Sequence, residues 1–214
     1  MLSADEANRR YFGEAYRTGE HGWSVDKPSP YAVDFLQELS RRVPCGRLLD
    51  LGCGEGRHSF AAAQLGFKVA GLDYQFLALK RALSFTGPKD MVKVNFLNAD
   101  VFSVPFPDFS FDIVLDYGCL HHQKKAKWPA YKASILRILK PQGFYVLSVF
   151  SPKFLLFHSN PRKWHIAFGA YRRYFTEEDI LGLFRQNFEF LKIAEEREGD
   201  SGFWHILMKY KVES

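Results

Sequence analysis

From about residue 30 onward, short apolar runs alternate with stretches of helical periodicity. Four- to eight-residue apolar runs predict strands at about 47–51, 68–73, 92–98, 111–116 and 143–150. Helices are expected between them at 57–65, closed by Gly66, at 75–85, and at 128–139, closed by Pro141. An earlier helix, about 30–42, follows Pro28 and Pro30, and its apolar positions Val33, Leu36, Leu39 and Val43 recur at helical spacing. Strand–helix alternation of this kind gives a parallel sheet with helices on both faces. The tail reads differently. Thr176-Glu177-Glu178-Asp179 caps a helix over 177–186, and strands at about 188–194 and 203–211 are joined through Glu198–Gly202. A connection that short makes the last pair an antiparallel hairpin. The fold class is therefore α/β, doubly wound, mostly parallel, with an antiparallel end.

Length and composition narrow the picture. A chain of 214 residues suits one domain, and 47% hydrophobic with 25% charged residues excludes a disordered chain. The first residues are charged almost at once, which is unlike a secretory signal. The longest apolar runs, such as Phe154–Phe157, are far too short to span a membrane. Cys45, Cys53 and Cys119 are odd in number and spaced neither as a disulfide framework nor as a zinc site. No metal is expected, and the location expected is cytoplasmic. The net charge of +5 is unevenly placed: residues 117–176 carry eleven of the 29 Lys and Arg and no Asp or Glu. Such a segment attracts an anionic small molecule, an acidic protein surface or nucleic acid.

The densest chemistry lies in Leu48-Leu49-Asp50-Leu51-Gly52-Cys53-Gly54-Glu55-Gly56, which runs from a strand straight into a helix. Glycines there allow a sharp turn and close approach of a ligand to bare backbone, while the helix start offers unpaired N–H groups. Asp73 ends the second strand, 19 residues past Gly54, where a carboxylate can accept both hydroxyls of a ribose. The dinucleotide fingerprint would need a third glycine at position 57, which is Arg57. Two further acids follow at strand ends: Asp100, placed to accept from an adenine amino group, and Asp116.

Taken together, these residues resemble the class I S-adenosylmethionine-dependent methyltransferases. The likeness extends to the turn Arg137-Ile138-Leu139-Lys140-Pro141-Gln142-Gly143, where Gln142 replaces a glycine of the family. It covers about residues 30–211 and implies a Rossmann-like, seven-stranded sheet ending in the antiparallel hairpin. It further implies S-adenosyl-L-methionine as methyl donor. Gly52, Cys53 and Gly54 would line its methionine portion, Asp50 would belong to the same donor-binding set, and Asp73 would hold the ribose. Tyr74 would flank the adenine, Asp100 and Val101 would meet its edge, and Asp116 would lie near the methionine amine.

Two segments are candidate covers for the acceptor. Residues 1–30 form a cap ahead of a domain at 31–214. Its stretch from Tyr11 through Tyr16 to Trp23 is similar to the caps of small-molecule methyltransferases of the thiopurine and tellurite-resistance types. The second is an insertion at about 151–175, bearing Trp164, Arg172 and Arg173, whose aromatics and cations suit an aromatic or anionic acceptor. His121 and His122 are the candidate bases, if a base is used. The favoured acceptor is a small molecule. Methylation of RNA or protein through the basic 117–176 segment, and a non-catalytic donor-binding scaffold, are the alternatives.

Overall fold

In a computed structural model of the chain, residues 3–19, 21, 23, 27–84, 93–157, 162–196 and 202–212 are described. The elements follow the expected alternation. In order they are α1 (Ala4–Thr18), α2 (Pro30–Arg42), β1 (Arg47–Leu51), α3 (Arg57–Gln64), β2 (Lys68–Asp73), α4 (Phe76–Ser84), β3 (Val94–Asn98), β4 (Phe111–Tyr117) and α5 (Trp128–Ile138). There follow β5 (Leu139–Phe150), β6 (Trp164–Ala167), β7 (Ala170–Arg173), α6 (Glu177–Phe184), β8 (Phe188–Glu195) and β9 (Phe203–Tyr210). The residues expected to end the helix at 85, to start the strand at 92 and to form most of the 198–202 connection lie outside the described set.

Seven strands form one sheet in the order β3-β2-β1-β4-β5-β9-β8. The first five pair in parallel, while β9 runs antiparallel to both β5 and β8. Because chain order reverses beside β1, a crevice opens between the carboxyl ends of β1 and β4, the place where open α/β sheets bind ligands. Both sheet faces are covered, so the strands read as continuous apolar runs rather than alternating ones. Leu48, Val69, Ile113 and Val146 face Phe35, Leu36 and Leu39 of α2 and Ala62 and Ala63 of α3. Leu49, Leu72, Val114 and Leu147 pack on the other face against Tyr131, Ile135 and Ile138 of α5 and Phe184 of α6.

Two elements differ from expectation. β5 starts at Leu139, four residues early, because the Leu-Lys-Pro-Gln-Gly turn joins the sheet across an irregularity in β4 between Phe111 and Ile113. Gln142 there takes a left-handed conformation, φ 65°, which explains why the family favours glycine. The insertion at 151–175 forms a separate antiparallel hairpin, β6–β7, reversed through Phe168 and Gly169. That hairpin meets the amino-terminal segment, itself a helix opened by a Ser3–Glu6 capping box and closed by Gly19. Asn8 of α1 accepts from the Tyr171 N–H (2.7 Å) and donates to the His122 carbonyl (2.9 Å). The two candidate cover segments thus pack on one another beside the crevice.

Candidate functional site

The turn after β1 begins the site. Gly52, Gly54 and Gly56 all have positive φ, which glycine adopts without strain, and Gly52 borders the crevice. A Cβ added at Gly54 would stand 2.8 Å from the Tyr16 hydroxyl, and one at Gly52 would stand 3.2 Å from Cys119 Sγ. Asp73 fixes the turn from the neighbouring strand. Its Oδ2 accepts the Gly54 N–H (2.9 Å) and its Oδ1 accepts the Gln75 N–H (2.8 Å). Burial pushes its carboxyl up to about 6, against those two bonds, which favour the charged form.

A cavity of about 230 Å³ opens over this turn, bounded by Gly52, Asp73, Tyr74, Asp100, Val101 and Cys119 on the sheet side. Its roof is one face of α1: Asn8 and Arg9, Phe12 and Tyr16, four residues apart, joined by Trp23. Phe12 sits at the centre of the roof, 5.4 Å from the Trp23 ring, 6.5 Å from Tyr74 and 4.9 Å from His122. Trp23 Nε1 donates to the Tyr16 hydroxyl (3.1 Å). Arg9 bridges roof to floor. Its guanidinium lies 2.7 Å from Asp100 and 5.0 Å over the Tyr74 ring. The Tyr74 hydroxyl is buried and, among the described residues, has no hydrogen-bond partner. The aromatic rings of α1 and Trp23 narrow the cavity from above.

His122 also lines the cavity. Its Nδ1 lies 2.8 Å from the Tyr171 carbonyl, an acceptor, so Nδ1 carries the proton and Nε2 keeps its lone pair. Burial pushes its pKa down to about 3, so the ring is neutral near pH 7. His121 lies elsewhere. It is stacked on Phe150 at 3.7 Å and accepts the Phe150 N–H at 3.3 Å, away from the cavity.

Several expected site residues are placed differently. Asp116 does not face the crevice. Its Oδ1 accepts the N–H groups of Cys119 (2.9 Å) and Leu120 (3.3 Å), and its Oδ2 accepts the hydroxyls of Tyr131 (2.7 Å) and Tyr145 (3.0 Å). With four protein donors it braces the turn after β4 and has no acceptor capacity for an amine. Asp50 likewise accepts from Ser59 Oγ (2.6 Å), tying β1 to α3. Cys53 Sγ packs beside Gly71, and Gly54 lies beneath Tyr16, so neither bounds the cavity. Among the candidate cover residues, Tyr16 and Trp23 line the cavity and the other four do not. Tyr11 accepts from Arg172 (3.1 Å), whose guanidinium also donates to the Ala167 carbonyl within the hairpin. Arg173 lies over Trp128 at 4.9 Å beside Asp179, and Trp164 stacks on Tyr171 at the surface. The insertion's cations were expected to orient an acid, but tertiary partners hold them out of the pocket. Conversely, Asn8, Arg9, Phe12, Gln75 and Lys127 bound the cavity without having been singled out. The spacing of Asp5, Arg9, Phe12 and Tyr16 on one helical face was the available signal.

Comparison with known proteins places this geometry. Residues 48–143 match a family described as a methyltransferase domain. An uncharacterized methyltransferase of Schizosaccharomyces pombe is 32% identical over 104 residues, covering 49% of this chain and 71% of that one. The 2-heptyl-1-hydroxyquinolin-4(1H)-one methyltransferase of Mycobacteroides abscessus is 27% identical over 128 residues, 60% of this chain and 55% of its own. This chain belongs to the class I S-adenosylmethionine-dependent methyltransferases. The fold likeness extends along the whole chain. A Burkholderia thailandensis 1,6-didemethyltoxoflavin-N1-methyltransferase, solved with 1,6-didemethyltoxoflavin and S-adenosylhomocysteine, superposes with a TM-score of 0.79 at 23% identity, covering 99% of this chain and 92% of that one. The chain spans about half the length of the first curated relatives it matches. As a class I methyltransferase it keeps the glycine turn and the acid of the second strand, and departs from the family at Gln142.

Proposed function

We propose that the chain transfers a methyl group from S-adenosyl-L-methionine to a small aromatic acceptor. One observation carries this reading: Asp73 holds the glycine turn through Gly54 and still borders a cavity roofed by aromatic side chains. The residues present fit an adenosyl sulfonium. Asp73 has lone pairs left for ribose hydroxyls, Tyr74 supplies a ring and an unpartnered hydroxyl, and Gly52 exposes backbone that a Cβ would cover. Asp100 and Val101 would meet the adenine edge once Arg9 releases the Asp100 carboxylate. That ion pair is cheap to open, because both side chains are well exposed to water.

The donor supplies an electrophilic methyl on a cationic sulfur with a neutral thioether as leaving group. An acceptor lone pair would bond to that methyl as the carbon–sulfur bond breaks, its electron pair staying on sulfur. The protein's contribution is alignment, which can be worth roughly 7–11 kcal/mol when the reacting atoms are held about 3–3.5 Å apart. Phe12, Tyr16 and Trp23 line the roof and would shield the reacting centre from water. His122 Nε2 accepts a hydrogen bond from an acceptor O–H or N–H. With its pKa near 3 it orients that group and leaves most of the proton transfer to water.

A small acceptor is favoured over a polymer because five of the eleven cations in the basic segment are each paired with a carboxylate. Lys127 pairs with Asp5, Arg137 with Asp108 (3.0 Å), Lys140 with Asp112 (2.7 Å), Lys153 with Glu195, and Lys163 with Asp179 (2.9 Å). The test is incubation with methyl-labelled donor and a panel of hydroxylated and nitrogen heteroaromatics. Label should move to at least one of them. Tight donor binding with no transfer to any aromatic, and methylation of RNA or protein instead, would overturn the acceptor assignment.

A further inference from the structure

Among the described residues β6 and β7 form a two-stranded sheet of their own, so no strand pairs with the outer edge of β7. At Tyr171 that edge is buried, the residue being 4% exposed, and its backbone groups need partners inside the protein. In an antiparallel strand the N–H and C=O of one residue point the same way, and at Tyr171 side chains take both. The N–H donates to Asn8 Oδ1 (2.7 Å), and the C=O accepts from His122 Nδ1 (2.8 Å). Asn8 Nδ2 in turn donates to the His122 carbonyl (2.9 Å). The three bonds close a circuit through α1, the turn after β4, and β7.

Each atom in that circuit has one possible role. A carbonyl only accepts, so His122 Nδ1 carries the proton. A backbone N–H only donates, so Asn8 turns its oxygen to Tyr171 and its NH₂ group to His122. An amide side chain supplies donor and acceptor together, which neither a carboxylate nor an apolar group of that size does. Asn8 is itself buried, so water does not take over either bond.

The consequence falls on the other ring nitrogen. The His122 ring is neutral near pH 7 and has one proton to place. An imidazole free in water favours the tautomer with that proton on Nε2, whereas a fixed acceptor at Nδ1 selects the opposite one. Here the circuit leaves the Nε2 lone pair, which no described residue bonds, to the cavity that His122 lines.

We propose that Asn8 is a positioning residue for His122: through Tyr171 it fixes the Nδ1–H tautomer, so that Nε2 accepts from the methyl acceptor only with α1 seated on the β6–β7 hairpin. This rests on the methyl-transfer reading, in which His122 orients the acceptor. It gives the insertion a task besides covering the site, since a backbone carbonyl of β7 completes the group that meets the acceptor.

The experiment reads the tautomer itself, by long-range ¹H–¹⁵N correlation of the imidazole rings in the full chain, with His122→Ala assigning the signal. The parent chain should show His122 as Nδ1–H. Asn8→Ala should pass about half or more of the ring population to Nε2–H. Asn8→Asp, which keeps an acceptor for the Tyr171 N–H and loses only the donor, should stay closer to the parent. Tyr11→Phe unties the same helix from Arg172 without touching the circuit, and should leave the tautomer as it is. With an acceptor that takes label, Asn8→Ala should lower kcat by no more than the roughly tenfold loss of His122→Ala, and the two losses should not add. The tautomer is read without donor or acceptor, so an absence of methyl transfer would count against the reaction and leave this measurement standing. A parent ring in the Nε2–H form, a tautomer indifferent to Asn8, one shifted as far by Tyr11→Phe, or kinetic losses that add would overturn the proposal.

Discussion

Asp73 was legible from the chain because everything that defines it is local to two strand ends. It ends one strand, and its partner Gly54 lies in the turn of the next strand over. Asp73→Ala should weaken donor binding by tenfold or more, since a hydrogen bond to a charged group contributes about 1.5–3 kcal/mol. The carboxyl, raised to about 6, accepts from hydroxyls best when ionised, so donor affinity should rise as pH climbs through about 6 and level off above 7. Asp73→Asn should flatten that profile; a profile unchanged by the substitution would remove Asp73 from the ribose. His122→Ala should lower turnover about tenfold or less, because a ring with pKa near 3 is a weak base. The rate profile should then lack a histidine inflection between pH 6 and 7. Asp116 was not legible. Tyr131 and Tyr145, which saturate it, are brought in by α5 and β5, and no spacing along the chain shows that both hydroxyls converge on one carboxylate.

At the level of elements, the seven-stranded sheet was readable because buried parallel strands leave long apolar runs, and the glycine turn marks where the first one ends. The hairpin in the insertion was not. Its turn carries phenylalanine where asparagine would announce a reversal, and its aromatics fit a helix equally well. α1 is the element that roofs the cavity. Its most buried tie to the rest of the chain is Asn8, bonded to both His122 and Tyr171, beside the more exposed contacts of Asp5, Arg9 and Tyr11. Asn8→Ala leaves a buried N–H and a buried carbonyl without that partner, at about 1–3 kcal/mol each. Hydrogen exchange in residues 4–18 should quicken in that variant, and donor should restore protection less completely than in the parent chain.

For the whole molecule, the sign of the charge segregation was plain in the sequence, but its partial cancellation was not, since Asp5, Asp112 and Glu195 reach Lys127, Lys140 and Lys153 from distant segments. Buried titratable groups set the response to pH in two opposing ways. Asp50, Asp73 and Asp116 are raised by burial to about 7, 6 and 6. Between about pH 4 and 6 they hold protons in the folded state that the unfolded chain has released, so this contribution falls as pH rises. His58 and His121 are pushed well down, and His122 and His205 to about 3 and 4, so in the same window the unfolded chain binds protons that the folded one does not. His21 and His165 are lowered as well, and Glu38 and Asp179 are held below the usual carboxylate range by their ion pairs, so the groups that favour the unfolded chain's protons outnumber the three aspartates and stability should rise with pH across this window. Asp50→Asn removes one opposing group and should steepen that rise, which thermal unfolding at a series of pH values would measure. The most direct test is isothermal titration of the intact chain with S-adenosylhomocysteine. Saturable one-site binding, weakened tenfold or more by Asp73→Ala, is the expected result; no heat from folded protein, or an affinity indifferent to that substitution, would contradict it.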